Sequence, residues 1–116
     1  MALTTLGFTE VWQNGTANFL YLAIGNGTTA FDVGQTALQG TELARIPCSV
    51  DIAGALAEFG ALFTASQGSG LCTEWGIFNA ASGGTMWARG LFDEVVNKTA
   101  EAFKAVISET LQNYAP

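Results

Sequence analysis

Two apolar, aromatic runs, residues 71–79 and 85–92, flank the stretch Ala80-Ala81-Ser82-Gly83-Gly84. This arrangement constrains the fold more than any other part of the chain. A tight connection between antiparallel strands needs positive φ, which glycine adopts without steric cost. The two runs are therefore predicted to form a β-hairpin. Trp75 and Trp87 sit asymmetrically about its turn and are placed to pair across it, a structural role.

Other strands are needed to cover such a hairpin. Residues 19–24, Phe-Leu-Tyr-Leu-Ala-Ile, are continuously apolar and bounded by turn residues, the pattern of a buried strand. Residues 25–29 read as a loop. Residues 42–50 read as a further strand, with Pro47 favouring an edge or an end because proline cannot donate to a ladder. Near the start, Phe8, Val11 and Trp12 have helical spacing ahead of Asn14-Gly15, which predicts a short N-terminal helix closed by glycine. Residues 52–64 and 102–112 fit both periods. Leu56, Phe59, Leu62 and Phe63 have helical spacing, but Gly54 and Gly60 each weaken a helix by up to about 1 kcal/mol relative to Ala. In the second stretch Phe103, Ala105, Ile107 and Leu111 fall on one strand face, while Ala100, Phe103, Ile107 and Leu111 fall on one helix face.

Composition narrows the function. The 116 residues carry 10 acidic and 4 basic side chains, and 49% are hydrophobic. Disordered chains are poor in apolar residues, so this one folds, and its length suits a single domain over 1–116. Four scattered cations cannot neutralise a run of phosphates, so no nucleic-acid partner is expected. With 12% charged residues, the surface must be made of hydroxyl, amide, glycine and apolar groups, which suits a protein that assembles with copies or partners. No apolar run nears the roughly 20 residues of a membrane-spanning helix, so no membrane partner is expected. A secretory leader is not apparent, and the chain is expected to be made in a cytoplasm.

Catalytic patterns find little support. There is no histidine, which excludes Ser-His-Asp and Cys-His catalysis and the common catalytic zinc sites. Cys48 and Cys72 match no metal-ligand spacing; they read as buried, reduced and structural, a single disulfide being the alternative. Gly25-Asn26-Gly27-Thr28-Thr29-Ala30 has the form of a dinucleotide loop, but Phe31-Asp32-Val33-Gly34 is no helix start, and a glycine turn at a strand end explains it. Asp93 and Glu94 are adjacent and would point to opposite faces of a strand; Asp51, Glu58 and Glu74 are isolated and read as solvated or capping carboxylates. Lys98 and Lys104 are the bases left for a Ser or Thr nucleophile, and nothing recommends either. The formal glycosylation triplets, Asn97-Lys98-Thr99 among them, read as turn chemistry. No metal or cofactor is expected. The tryptophans and tyrosines, Trp12, Trp75, Trp87, Tyr21 and Tyr114, would suit a sugar platform, though in a small β domain such residues more often fill core or interface.

The block Glu74-Trp75-Gly76-Ile77-Phe78-Asn79-Ala80-Ala81-Ser82-Gly83-Gly84-Thr85-Met86-Trp87-Ala88-Arg89 resembles a motif in small structural proteins of tailed bacteriophages, the tail-fibre-like and decoration-like virion proteins. Residues 23–31, then Gln35-Thr36-Ala37-Leu38 and Glu42-Leu43-Ala44-Arg45, resemble the first half of the same pattern, in the same order and spacing. The likeness covers roughly residues 19–92. It implies a mainly β domain, a compact antiparallel β-sandwich or barrel-like module with a short N-terminal helix, and tips residues 56–65 and 102–111 towards strands. The polar C-terminal tail and the alanine-rich stretch 51–61 depart from it.

The expected function is a non-enzymatic structural component of a phage virion, made in the bacterial host. It would associate with itself, as a trimer for a capsid decoration protein, and pack on major capsid or tail proteins. A host-receptor or glycan-binding module is the alternative. Trp75, Phe78 and Trp87 are the candidate interface anchors, and Arg45 and Arg89, scarce cations in an acidic chain, are candidates for intersubunit ion pairs or for salt bridges within the subunit.

Overall fold

The computed structural model describes residues 20–53 and 56–110. They form β1 (Leu20–Gly25), β2 (Glu42–Ala53), β3 (Leu56–Phe63), β4 (Gly70–Phe78), β5 (Met86–Lys98) and β6 (Phe103–Thr110), with no helix among the described residues. All neighbours pair antiparallel in the order β5-β4-β1-β2-β3-β6. The sheet curls until Phe92 of β5 meets Phe103 of β6 edge-on, their ring centroids 5.7 Å apart. β5 and β6 exchange no ladder, so the result is a nearly closed barrel with one seam. The short helix expected near residues 8–14 lies outside the described residues.

The hairpin forms as predicted. Gly83 and Gly84 take φ of +61° and +73°, and the turn is closed by two bonds: Asn79 N–H donates to the Thr85 carbonyl, and Thr85 N–H to Asn79 Oδ1. Trp75 does not pair with Trp87, however. Its cross-strand partner is Gly90, and a Cβ added at Gly90 would lie 2.8 Å from Trp75 Cε2. The indole fills the space that the missing side chain leaves.

β5 is longer than its apolar run, continuing through Asp93 and Glu94 to Lys98. A bulge makes this possible. Cys72 pairs with Val96 and Glu74 with Leu91, so one residue of β4 faces four of β5. The surplus bends β5 outward and leaves Asp93, Glu94 and Val95 exposed. Pro47 pairs with Tyr21 of β1 and has no ladder partner on the β3 side, an edge-like place within an inner strand that suits a residue without an N–H. β2 pairs with β1 from Glu42 to Cys48 and with β3 from Ser49 onward, and Pro47 stands just before the change of neighbour.

The two ambiguous stretches contain the strands β3 and β6. Along β3, Ala57, Phe59, Ala61 and Phe63 are buried while Leu56, Glu58 and Leu62 are exposed, a period of two. Alternating Ala and Phe fill the barrel beside Leu20, Leu22 and Ile24 of β1 and Ile107 of β6. Helical spacing lost because tertiary burial in a curled sheet outweighs it, and Gly60 weakens the helix further.

Candidate functional site

The most constrained region lies outside the barrel. Period two along Glu74-Trp75-Gly76-Ile77-Phe78 sends Trp75 and Ile77 inward and leaves Glu74, Gly76 and Phe78 on the outer face. With Ala23 of β1 and Met86 of β5, Phe78 forms a second apolar cluster, which Leu38 covers. Leu38 belongs to the long connection from Asn26 to Thr41, which folds back over β1, β4 and β5. Its neck is closed by Asn26 N–H to the Thr41 carbonyl, 3.2 Å, and by Thr41 N–H to Asn26 Oδ1, 2.7 Å. The loop packs closely on the sheet: a Cβ at Gly76 would stand 2.8 Å from Leu38 Cδ2.

Glu74 holds this loop down. Its Oε2 accepts the N–H groups of Gly27 (2.7 Å) and Gly40 (2.8 Å), and its Oε1 accepts that of Gln39 (2.9 Å). Arg89, across β5, sets Nε 2.9 Å and Nη2 2.8 Å from the same Oε1. Arg89 Nη1 reaches back to Gln35 Oε1 in the loop, and Thr73 Oγ1 donates to the Gly27 carbonyl at 2.6 Å. Both charged side chains are fully buried. Burial by itself would push the Glu74 carboxyl up. The N–H groups of Gln39 and Gly40, the Arg89 guanidinium and the Gly27 N–H outweigh it and hold the carboxyl below the usual range. Of the two expected roles, solvated or capping, Glu74 takes the second in a buried form: it is an internal anion that accepts backbone N–H groups and around which the loop closes.

Two more of the four cations act as staples. Arg45 pairs with Glu42 at 2.7 Å and donates through Nη1 to the carbonyls of Ala80 and Gly83, both at 2.9 Å, so that it grips the hairpin turn. Its guanidinium lies 3.7 Å above the Phe78 ring centroid. Lys98, at the buried end of β5, donates from Nζ to the carbonyls of Thr64 (2.8 Å) and Gly68 (3.0 Å) in the connection between β3 and β4. Asn97-Lys98-Thr99 is therefore largely strand rather than turn. Cys48 and Cys72 are both free; burial pushes the Cys48 thiol up to about 11 and also raises that of Cys72, against the pull of nearby Lys98.

The anchors proposed from sequence are occupied inside the chain. Trp75, Phe78, Trp87 and Arg89 are all buried. Arg45 and Arg89 both pair with carboxylates of their own chain, and the second pair is buried rather than superficial. Trp75 and Trp87 offer no aromatic platform, while Trp12 and Tyr114 lie outside the described residues. The dinucleotide-like stretch 25–30 is met by the Glu74 carboxylate, which takes the N–H of its second glycine, Gly27.

Glu74 and Lys98 are what sequence reasoning missed. A usable signal existed for the first: the residues sharing the outward face with Glu74 are a glycine and a phenylalanine, a combination that suits a covered face.

Two hollows remain. One, of about 230 Å³, lies between Leu38 and Gly40 of the loop and the tip of the hairpin, with Arg45 and Phe78 in its wall. The other, about 450 Å³ and open, follows the seam between Phe92, Asp93 and Glu94 of β5 and Phe103 and Lys104 of β6. Arg45 and Glu42, the charged groups in the first wall, are matched to each other, and Arg45 also to two carbonyls. No group of three or more Cys, Asp or Glu converges as a metal site among the described residues.

No described residue covers the outer face of β3 and β6. Leu62 and Val106 are 57% and 52% exposed there, with Glu58, Lys104 and Ser108 beside them.

No family model matches the chain, and a search of curated proteins finds no match either.

Proposed function

We propose that this chain is a non-enzymatic structural module that associates with copies of itself on the particle of a tailed phage, at the capsid surface or at the tail or neck. The observation that carries this reading is the use to which the motif residues are put. Glu74, Gly76, Asn79, Gly83, Gly84 and Arg89 each close a turn, seat the outer loop or hold the buried ion pair. The two halves of the pattern resembling phage virion proteins meet in space: Gly27 bonds to Glu74, and Arg45 to the turn at Ala80 and Gly83. The motif is an architectural signature, and its polar groups are consumed in making a stiff body. A stiff body with a bare sheet face suits a subunit whose work is to fit against others.

The test is to raise antibodies to the purified protein and locate them by electron microscopy on phage particles whose genome encodes the chain. Labelling at the capsid, neck or tail is expected, together with a fixed stoichiometry to the major capsid protein by quantitative mass spectrometry. Particles free of the chain would overturn the reading.

A further inference from the structure

We propose that the outer face of β3 and β6 is a self-complementary surface on which a second copy of this chain packs, sheet against sheet, about a two-fold axis. This rests on the self-associating reading above and names the surface that it uses. The register sets three rows across this face. Leu62 lies opposite Lys104, Gly60 lies between Ser49 and Val106, and Glu58 lies between Asp51 and Ser108.

Charge is what selects a second copy as the occupant. Asp51 and Glu58 are like charges directly opposite one another on neighbouring strands, an unfavourable arrangement when nothing neutralises it. The Ser108 hydroxyl, 3.5 Å from a Glu58 oxygen, brings no charge. Lys104 stands at the other end of the same face and makes no ion pair with any described residue. A cation at one end, two carboxylates at the other and an exposed valine between them form a surface that matches itself when turned over.

An isologous contact makes each match twice. With the axis lying in the interface along the row of Ser49, Gly60 and Val106, Val106 meets Val106 of the partner subunit. Lys104 then lies over Ser108 and Glu58 of the partner subunit, its aliphatic stem covering apolar surface on the way. Gly60, having no side chain, keeps the centre of the face low enough for the sheets to approach. The other half of the sheet cannot dock in this way, because the loop from Asn26 to Thr41 already lies on it.

Sedimentation velocity at neutral pH, from about 1 μM to about 1 mM, tests the proposal. A dimer is expected that weakens as salt is added. Lys104→Glu and Glu58→Lys should each weaken association at least about tenfold, and the two together should restore it. Both positions are exposed, and circular dichroism of each variant verifies that the barrel is intact. Wild-type protein that stays monomeric throughout overturns this proposal, whereas the reading as a particle subunit falls only if particles prove free of the chain. Association that ignores the single charge reversals, or is not restored by the double reversal, overturns this surface while leaving self-association standing. So does an assembly of three copies, since an isologous contact joins copies two at a time.

Discussion

The outer face of β1, β4 and β5 and the outer face of β3 and β6 belong to one continuous sheet, yet they are finished differently. On the first, a long loop lies over the strands, a carboxylate and a guanidinium are buried beneath it, and Leu38 seals an apolar cluster against Ala23, Phe78 and Met86. On the second, Leu62 and Val106 stand in solvent beside a pair of acids that no described cation neutralises. Both faces carry charge and apolar groups in similar mixture. What differs is whether the chain supplies backbone donors to the carboxylate. Glu74 has three from the loop; Glu58 has none among the described residues. A buried charge tolerates loss of water only when such donors replace it, so the covered face depends on the loop's exact path in a way that the bare face does not.

The sharpest way to break this contrast is to remove the matched carboxylates in turn, at concentrations too dilute for association. Glu74→Ala strands the Arg89 charge and three N–H donors, and should cost about 3–5 kcal/mol in urea unfolding. Glu58→Ala should change stability by less than about 0.5 kcal/mol, or improve it slightly by relieving Asp51. Equal losses at the two positions would abolish the distinction.

Glycines give a second matched pair. A Cβ at Gly40 would run into the backbone nitrogen of Gly27 and the Asn26 side chain, whereas at Gly60 the neighbour is the Ser49 hydroxyl at 3.0 Å. Gly40→Ala should therefore cost about 2 kcal/mol by forcing the loop off its seat. Gly60→Ala should lie between neutral and about 0.5 kcal/mol stabilising, since a strand residue with less backbone freedom replaces glycine. Leucines extend the series downward: Leu38→Ala is expected to lose about 1 kcal/mol, and Leu62→Ala almost nothing. Thermal or urea melts resolve each comparison.

The smallest effect is visible only in acid. The folded Glu74 carboxyl titrates below its ordinary value of 4.5, so its contribution to stability is complete above that pH and is lost as pH falls through the folded value. In that window the unfolded chain takes up the proton first, and stability drops with falling pH. Hydrogen exchange should then show the amides of Gly27, Gln39 and Gly40 losing protection before those of the β1–β4 ladder. Simultaneous loss would mean that the loop and barrel are one cooperative unit.

Much of the barrel was legible because strands announce themselves through local chemistry. Residues 19–24 and the Ser-Gly-Gly turn carry their own signals, and β1, β4 and the start of β5 sit where those signals place them. The end of β5 was hidden because the bulge at Asp93 and Glu94 interrupts the alternation on which strand recognition depends. β3 and β6 were undecided for a different reason: alanine and phenylalanine at alternate positions satisfy both periods, and only the curled sheet that they fill decides between them. The Glu74 site was hidden by distance in sequence. Its donors lie 34 to 47 residues earlier and its guanidinium partner 15 residues later, separations that no local pattern encodes.

Those separations also govern when the loop can be secured. Gly27 follows β1, Glu74 lies on β4 and Arg89 on β5, so their junction exists only after three strands have found their register. Contacts completed that late are expected to lie on the native side of the folding barrier, where their loss leaves the rate of folding almost unchanged and quickens unfolding. On that expectation the buried pair is a clock on the finished barrel, setting how long each molecule stays folded rather than how soon it gets there.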